Sequence, residues 1–302
     1  MEIVFYKEKK SYIKNIAVAV GTFDGVHCGH KALLSEMVRY GKDNNLKTAV
    51  LTFYNRKEPE MGLISHPKKR EKLIEKLGVD YLIYLDFEDF CHMPAEEYIE
   101  NFLHKELSIK AIFFSNGHRF GKMAKGDGDL LIKWGKKLGF ESFCVPFLEM
   151  DGERVCSSAV RDLLQKGETE KANEMLGYRF SYKLKVVRGN QLGRELGFPT
   201  INQVIDKELI TLKRGVYATI SYIEKTAYPS VTNIGTKPTV NGDGLYMETH
   251  IMNCDKDLYG KEIKVEFIKW LRDEKKFDTI TELKNAIREN KEKALEIYKT
   301  HG

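Results

Sequence analysis

Two histidines stand three residues apart in GTFDGVHCGH (residues 21–30), directly after the apolar run IAVAV (16–20). If a helix begins here, the rings of His27 and His30 fall on one face and reach one ligand. Paired imidazoles of this kind can donate hydrogen bonds to the charge that develops at phosphorus during a displacement. Gly21 and Gly25 let the chain turn tightly and a ligand approach the backbone, and unsatisfied N–H groups at a helix start attract phosphate. The stretch matches neither GxxxxGK(S/T) nor GxGxxG, so it is not one of the two common phosphate loops. Two other readings stay open on these residues alone. One is a glycine-rich turn with surface histidines; the other is a metal site of His27, Cys28 and His30, although no further ligand cluster supports it.

Two more groups carry chemistry. In GNQLGRELGFPTIN (189–202), Gly189, Gly193 and Gly197 again allow backbone near phosphate, while the Thr200 hydroxyl and the Asn202 carbonyl are hard oxygen donors suited to Mg²⁺. The same PTIN tetrapeptide also reads as an Asx-type turn. In LYMETHI (245–251), strand alternation puts Leu245, Met247, Thr249 and Ile251 on one face and Tyr246, Glu248 and His250 on the other. Glu248 therefore need not enter an apolar core and could face a substrate, or it is simply a solvated carboxylate.

These groups need elements to hold them, and the chain supplies two textures that change near residue 180. Before it, the non-alternating apolar runs IAVAV (16–20), TAVLTF (48–53), YLIYL (81–85), AIFF (111–114) and FCV (143–145) alternate with amphipathic stretches such as KALLSEMVRYGKDNN. That is a βαβ series, hence a parallel sheet with helices on both faces, and its ligands bind beyond the carboxyl ends of the strands. After residue 180, YKLKVVRG, GVYATISYI, YPSVTNIG, LYMETHIM and IKVEFIKWL read as antiparallel strands closing into a sheet or small barrel. A last helix is expected from about Thr279, with Thr279 and Glu282 as a capping box. The expected division is 1–180 and 181–302.

Composition excludes more than it specifies. A chain of 302 residues with 42% apolar and 31% charged residues is an ordinary globular protein of two domains. The charged start and the lack of a long apolar run predict neither a signal peptide nor a membrane span, and place the protein in the cytoplasm. Five scattered cysteines without a CxxC pair predict free thiols. With 49 basic against 44 acidic residues, the net charge of +5 suits anionic small molecules and predicts no nucleic-acid partner. The sequence leaves the oligomeric state open, a monomer included.

At the HxGH signature the chain resembles the nucleotidyltransferase superfamily, and GTFDGVHCGH is similar to the FAD synthetase module of the bacterial bifunctional riboflavin kinase/FAD synthetase (FMN adenylyltransferase) family. The resemblance implies a Rossmann-like N-terminal nucleotidyltransferase domain in which His27 and His30 act on ATP phosphates, with Gly21, Phe23, Asp24 and Gly25 in the same loop. NGHRFGKMAKGD (116–127) resembles the family's flavin-binding stretch, which implies Asn116, Arg119 and Phe120. VCSSAVR (155–161) resembles its ISSTxIR motif, which implies Ser157, Ser158 and a phosphate-neutralising Arg161. KMAKG (122–126) looks faintly like the KMSKS loop of class I aminoacyl-tRNA synthetases, but it follows RFG directly and CSSAVR already supplies a second phosphate motif.

GNQLGRELGFPTIN, GVYATI (215–220), TNIGTKPTV (232–240), METHIMNCDKDLYGKEIKVEF (247–267) and LRDEKKF (271–277) resemble, in order, the flavokinase module. This implies an antiparallel β-barrel with a terminal helix, Glu248 as the base for the ribityl hydroxyl, Thr200 and Asn202 with Mg²⁺ and ATP, and Arg272 near the flavin. Riboflavin, FMN and FAD are then substrates and products. The chain departs from the family pattern in three places. YNRKEPEMG (54–62) stands where a Pro-His-Pro-like segment is usual, Ser115-Asn116-Gly117-His118 where Gly-x-Asp/Asn-Phe is usual, and Cys156 where a serine is usual. Two alternatives therefore stay open: a monofunctional riboflavin kinase with a silent or retuned nucleotidyltransferase-like domain, and a flavin-binding regulator without turnover.

Overall fold

Apolar runs without alternation become parallel strands. The computed structural model describes residues 1–7, 13–54, 59–189, 192–239 and 242–301. It divides into one unit of Met1–Pro59 with Ser65–Ser157 and a second of Glu60–Ile64 with Ser158–Gly302.

The first unit is built on β1 (Glu2–Phe5), β2 (Ile16–Val20), β3 (Lys47–Tyr54), β4 (Tyr81–Asp86), β5 (Ala111–Ser115) and β6 (Glu141–Val145). All are parallel, in the order β1-β4-β3-β2-β5-β6. β2 is buried along its whole length because both faces are covered. Ile16, Val18 and Val20 enter one core, while Ala17 and Ala19 enter the other with Leu33, Leu34, Met37 and Val38 of the helix Cys28–Asp43. The small alanines leave room for that helix on the sheet. β2 lies between β3 and β5, so the strand order reverses at its carboxyl end, which is where such sheets bind ligands. A two-residue ribbon, β7 (Glu149–Met150) with β8 (Glu153–Arg154), precedes the second unit.

The second unit is a closed antiparallel barrel of β9 (Ser181–Val187), β10 (Ile201–Val204), β11 (Gly215–Ile223), β12 (Thr226–Thr239), β13 (Gly242–Ile251) and β14 (Glu262–Arg272), ordered β10-β13-β12-β11-β14-β9. Part of its interior is aromatic, with Tyr182 and Tyr217 each edge-on to Phe267 at 5.7 and 5.2 Å. Another part is a chain of buried hydroxyls. Ser221 Oγ donates to Ser230 Oγ (2.9 Å), and bonds of 2.8, 2.9 and 2.9 Å continue through Thr219 and Thr232 to Thr249. This fixes the facing of β13: Met247, Thr249 and Ile251 point inward, and Glu248 and His250 outward, as alternation predicts.

The terminal helix Ile280–His301 covers the barrel wall, where Ala294 packs on Ala218 and Met252. Thr279 caps it by accepting from the Glu282 N–H (3.2 Å), while the Glu282 carboxylate reaches back to the Asp278 N–H (3.3 Å), one residue before the position of a strict capping box. Residues 158–166 of the helix Ser157–Lys166 and the helix Thr169–Leu176 belong to the second unit. Thr169 Oγ1 donates to the Ile268 carbonyl (3.2 Å), and Asn173 Nδ2 to that of Phe267 (2.9 Å). The second unit also takes in residues 60–64: the Leu63 N–H donates to Glu208 O (2.7 Å), and Leu63 O accepts from the Ile210 N–H (2.8 Å). Among the described residues no helix is long and apolar enough to cross a membrane. None of the five cysteines is joined in a disulfide.

Candidate functional site

In the first unit the chain turns sharply beyond β2. Phe23, Gly25 and Val26 all take positive φ (49°, 76° and 40°), which releases the backbone from the strand and aims it at the helix start. Phe23 drops into the core, 2% exposed, with its ring 5.1 Å from that of His30. The buried Asp24 accepts at Oδ1 from the Ser65 N–H (3.1 Å), Ser65 Oγ meets the Gly25 N–H (3.2 Å), and Ser157 Oγ donates to the Asp24 carbonyl (3.0 Å). Phe23, Asp24 and Ser157 thus shape the loop.

His27 caps the helix by accepting the His30 N–H at Nδ1 (3.3 Å), so the neutral ring carries its proton on Nε2. The rings of His27 and His30 stack at 3.6 Å and 20°. Burial, and then the neighbouring His27, hold His30 well below the ordinary histidine range. His30 is therefore a neutral ring. Among the described residues no group of three or more His, Cys, Asp or Glu is placed to hold a metal ion. Sequence reasoning missed Arg70. This buried guanidinium donates from Nη1 to the Thr22 carbonyl (3.0 Å) and places a fixed positive charge under the loop.

The stretch expected to meet flavin follows β5. Gly117 takes φ +75° at its turn, a conformation that explains a glycine there without a polar side chain. Asn116 Oδ1 accepts from Cys144 Sγ (3.5 Å), and Arg119 pairs with Asp127 (3.2 Å), which caps the helix Gly128–Leu138. Phe120 is 9% exposed and packs between Tyr98 and His118. Of the substituted segment 54–62, residues 55–58 lie outside the described residues.

In the second unit, Ser158 begins the helical segment that carries Arg161, and Arg161 is buried with Nε donating to the Gly62 carbonyl (2.8 Å). A cavity of about 370 Å³ lies along the outer face of β13 and gathers Gly193, Thr200, Asn202, Glu248 and Arg272. Asn202 is not in a turn. It sits on β10, a strand the sequence reading missed, directly opposite Glu248, and Glu248 is directly opposite Asn233 of β12.

Two glycines make room for this arrangement. A Cβ on Gly189 would lie 2.4 Å from Asn202 Nδ2, and one on Gly193 would lie 2.5 Å from the Phe198 carbonyl, which closes the turn before Thr200. Gly197 takes φ +86° in the same turn. Residues 190 and 191 lie outside the described residues, as do 240 and 241. Arg272 is steadied by Nε on Asn290 Oδ1 (3.3 Å) of the terminal helix. His250, Asn233 and Glu274 also line the cavity and were not singled out from the sequence.

The oxygen donors present suit a small divalent cation held with a nucleotide. A hydroxyl and an amide oxygen, with phosphates supplying the rest, are what Mg²⁺ takes in phosphoryl-transfer sites. Thr200 and Asn202 both face the cavity that would hold such a group.

Comparison with known proteins covers both units. The FAD synthetase family model matches residues 9–159 and the riboflavin kinase (flavokinase) family model residues 176–298. The bifunctional riboflavin kinase/FMN adenylyltransferase of Escherichia coli strain K12 is 34% identical over 93% of this chain and 92% of its own. That of Bacillus subtilis is 29% identical over 96% and 94%. A crystal structure titled as a macrolide-efflux protein from Streptococcus pneumoniae matches with a TM-score of 0.88 at 25% identity, covering 97% of this chain and 98% of that one. With both family models in order along a chain that aligns end to end with such relatives, the protein belongs to the bifunctional riboflavin kinase/FMN adenylyltransferase family.

Proposed function

We propose that the protein converts riboflavin to FAD in two ATP-dependent steps, one in each unit. In the barrel, riboflavin and ATP give FMN and ADP; in the parallel-sheet unit, FMN and ATP give FAD and pyrophosphate. The observation that carries the first assignment is the facing of Glu248. The strand places it outside the barrel, across from Asn202 and into the cavity that holds Thr200 and Arg272.

In the barrel step, Glu248 takes the proton of the ribityl 5′-hydroxyl as that oxygen attacks the γ-phosphorus of ATP. Thr200 and Asn202 would hold Mg²⁺, which would neutralise phosphate charge. Gly189, Gly193 and Gly197 let the backbone meet the phosphates, and Arg272 borders the flavin. In the other unit, the FMN phosphate attacks the α-phosphorus of ATP and pyrophosphate leaves. His27 and His30 donate to the charge that develops there, over a loop held by Phe23, Asp24 and Gly25. Ser157 serves the nucleotide, and Asn116, Arg119 and Phe120 border the flavin. The charge balance and the unbridged cysteines support small anionic partners and a cytoplasmic site of action.

The test is to incubate purified protein with MgATP and either riboflavin or FMN, then to separate the flavins by chromatography. FAD from both substrates is the expected result. FMN accumulating without FAD would leave only the kinase, and absence of turnover would overturn the reading.

A further inference from the structure

The strand pairing between β10 and β13 runs from Val204↔Tyr246 to Ile201↔Thr249 and stops there. One step further along, Pro199 and Thr200 lie beyond the last backbone pair, although Thr200 borders the cavity. At that point a side chain takes over from the ladder: His250 Nδ1 lies 2.9 Å from the Pro199 carbonyl oxygen. Phe198 packs edge-on to the imidazole at 5.8 Å and 84°.

A carbonyl oxygen only accepts, so this contact is a hydrogen bond only when Nδ1 carries the proton. The opposite tautomer would set two lone pairs against each other and leave a buried N–H without an acceptor, because Nε2 is buried and has no partner among the described residues. The ring therefore has one polar task. We infer that His250 is a positioning residue of the kinase cavity, its Nδ1–H holding the turn that presents Thr200 against the strand that presents Glu248. This rests on the assignment of phosphorylation to the barrel cavity.

The clamp has a stereochemical signature that plain packing lacks. An asparagine amide places Nδ2 close to where imidazole has Nδ1, whereas glutamine carries its amide one methylene further out. The experiment uses the full chain with His250→Asn, His250→Gln and His250→Ala, measuring riboflavin phosphorylation against MgATP concentration. The urea midpoint of barrel unfolding in the same preparations reports folding, and FMN adenylylation reports the state of the other unit. His250→Ala and His250→Gln are expected to raise KM for MgATP about tenfold with a smaller change in kcat, as loss of one hydrogen bond implies. His250→Asn is expected to restore most of the affinity, and all three are expected to keep adenylylation.

Equal KM values for the glutamine and asparagine variants, or a wild-type KM in His250→Ala, would overturn the clamp. A Glu248→Gln control that kept full phosphorylation would instead overturn the assignment of the cavity on which the clamp rests.

Discussion

Asn202 on β10 stands directly across the strand ladder from Glu248 on β13, and on the other side Glu248 faces Asn233 of β12. The carboxylate is flanked by amides at both register positions.

Separate chemistry in the two units predicts separable losses. Glu248→Gln is expected to lower riboflavin phosphorylation at least 100-fold and leave FMN adenylylation intact, while joint replacement of His27 and His30 by alanine does the reverse, the scale being that of losing a proton acceptor or a phosphate donor. Chromatography of the flavin products checks both. A folded variant that lost both activities would show that the sites are not separate.

Gly189→Ala probes the close approach to Asn202. The new Cβ would sit 2.4 Å from the amide nitrogen and push the side chain aside. We expect KM for MgATP in the kinase reaction to rise about tenfold, equivalent to about 1.4 kcal/mol. Steady-state kinetics with adenylylation as the control measures it, and an unchanged KM would mean that the Asn202 amide does not meet the nucleotide.

The hydroxyl chain predicts a stability effect. Thr232→Val keeps shape but removes the bonds to Thr219 and Thr249, both fully buried. Thr219 keeps its bond to Ser230, so the hydroxyl left stranded is that of Thr249, which costs about 1 to 3 kcal/mol. A lowered urea midpoint for barrel unfolding would register it, and an unshifted midpoint would show that the hydroxyl finds another partner.

Burial between Phe114 and Phe120 lowers the pKa of His118 from 6.5 to about 4. The unfolded chain then binds the proton more readily than the folded one, so stability rises with pH across this window. His118 contributes fully above about pH 6.5, and its contribution falls away as pH drops toward 4. His118→Phe is expected to flatten the acid limb of the melting temperature between those values. An identical limb in the variant would place the acid sensitivity elsewhere.

Elements with strong local signals were legible in the sequence. IAVAV, YLIYL and the outward facing of Glu248 needed only burial and alternation, and GTFDGVHCGH pointed to the carboxyl end of β2 where the strand order reverses. Two strands of the main sheet and the barrel were not legible. β1 is a four-residue edge whose partner, Tyr81–Tyr84, is remote in the chain. β10 is as short, and its PTIN start carries turn residues, so only closure of the barrel reveals Asn202 as a strand residue facing Glu248. The clamp by His250 depends on where the β10–β13 pairing ends, and no spacing in the sequence announces that.

The short segment 60–64 has a consequence for the order of synthesis. It leaves the ribosome before most of the sheet unit, yet its partners, Arg161 and residues 208–210, emerge about 100 to 150 residues later. At roughly 5 to 20 residues per second that is a wait of about 5 to 30 seconds. For that interval Leu63 and the Gly62 carbonyl have no place to dock, and a chain cut at Ser157 would leave the barrel lacking a strip that the other fragment carries away.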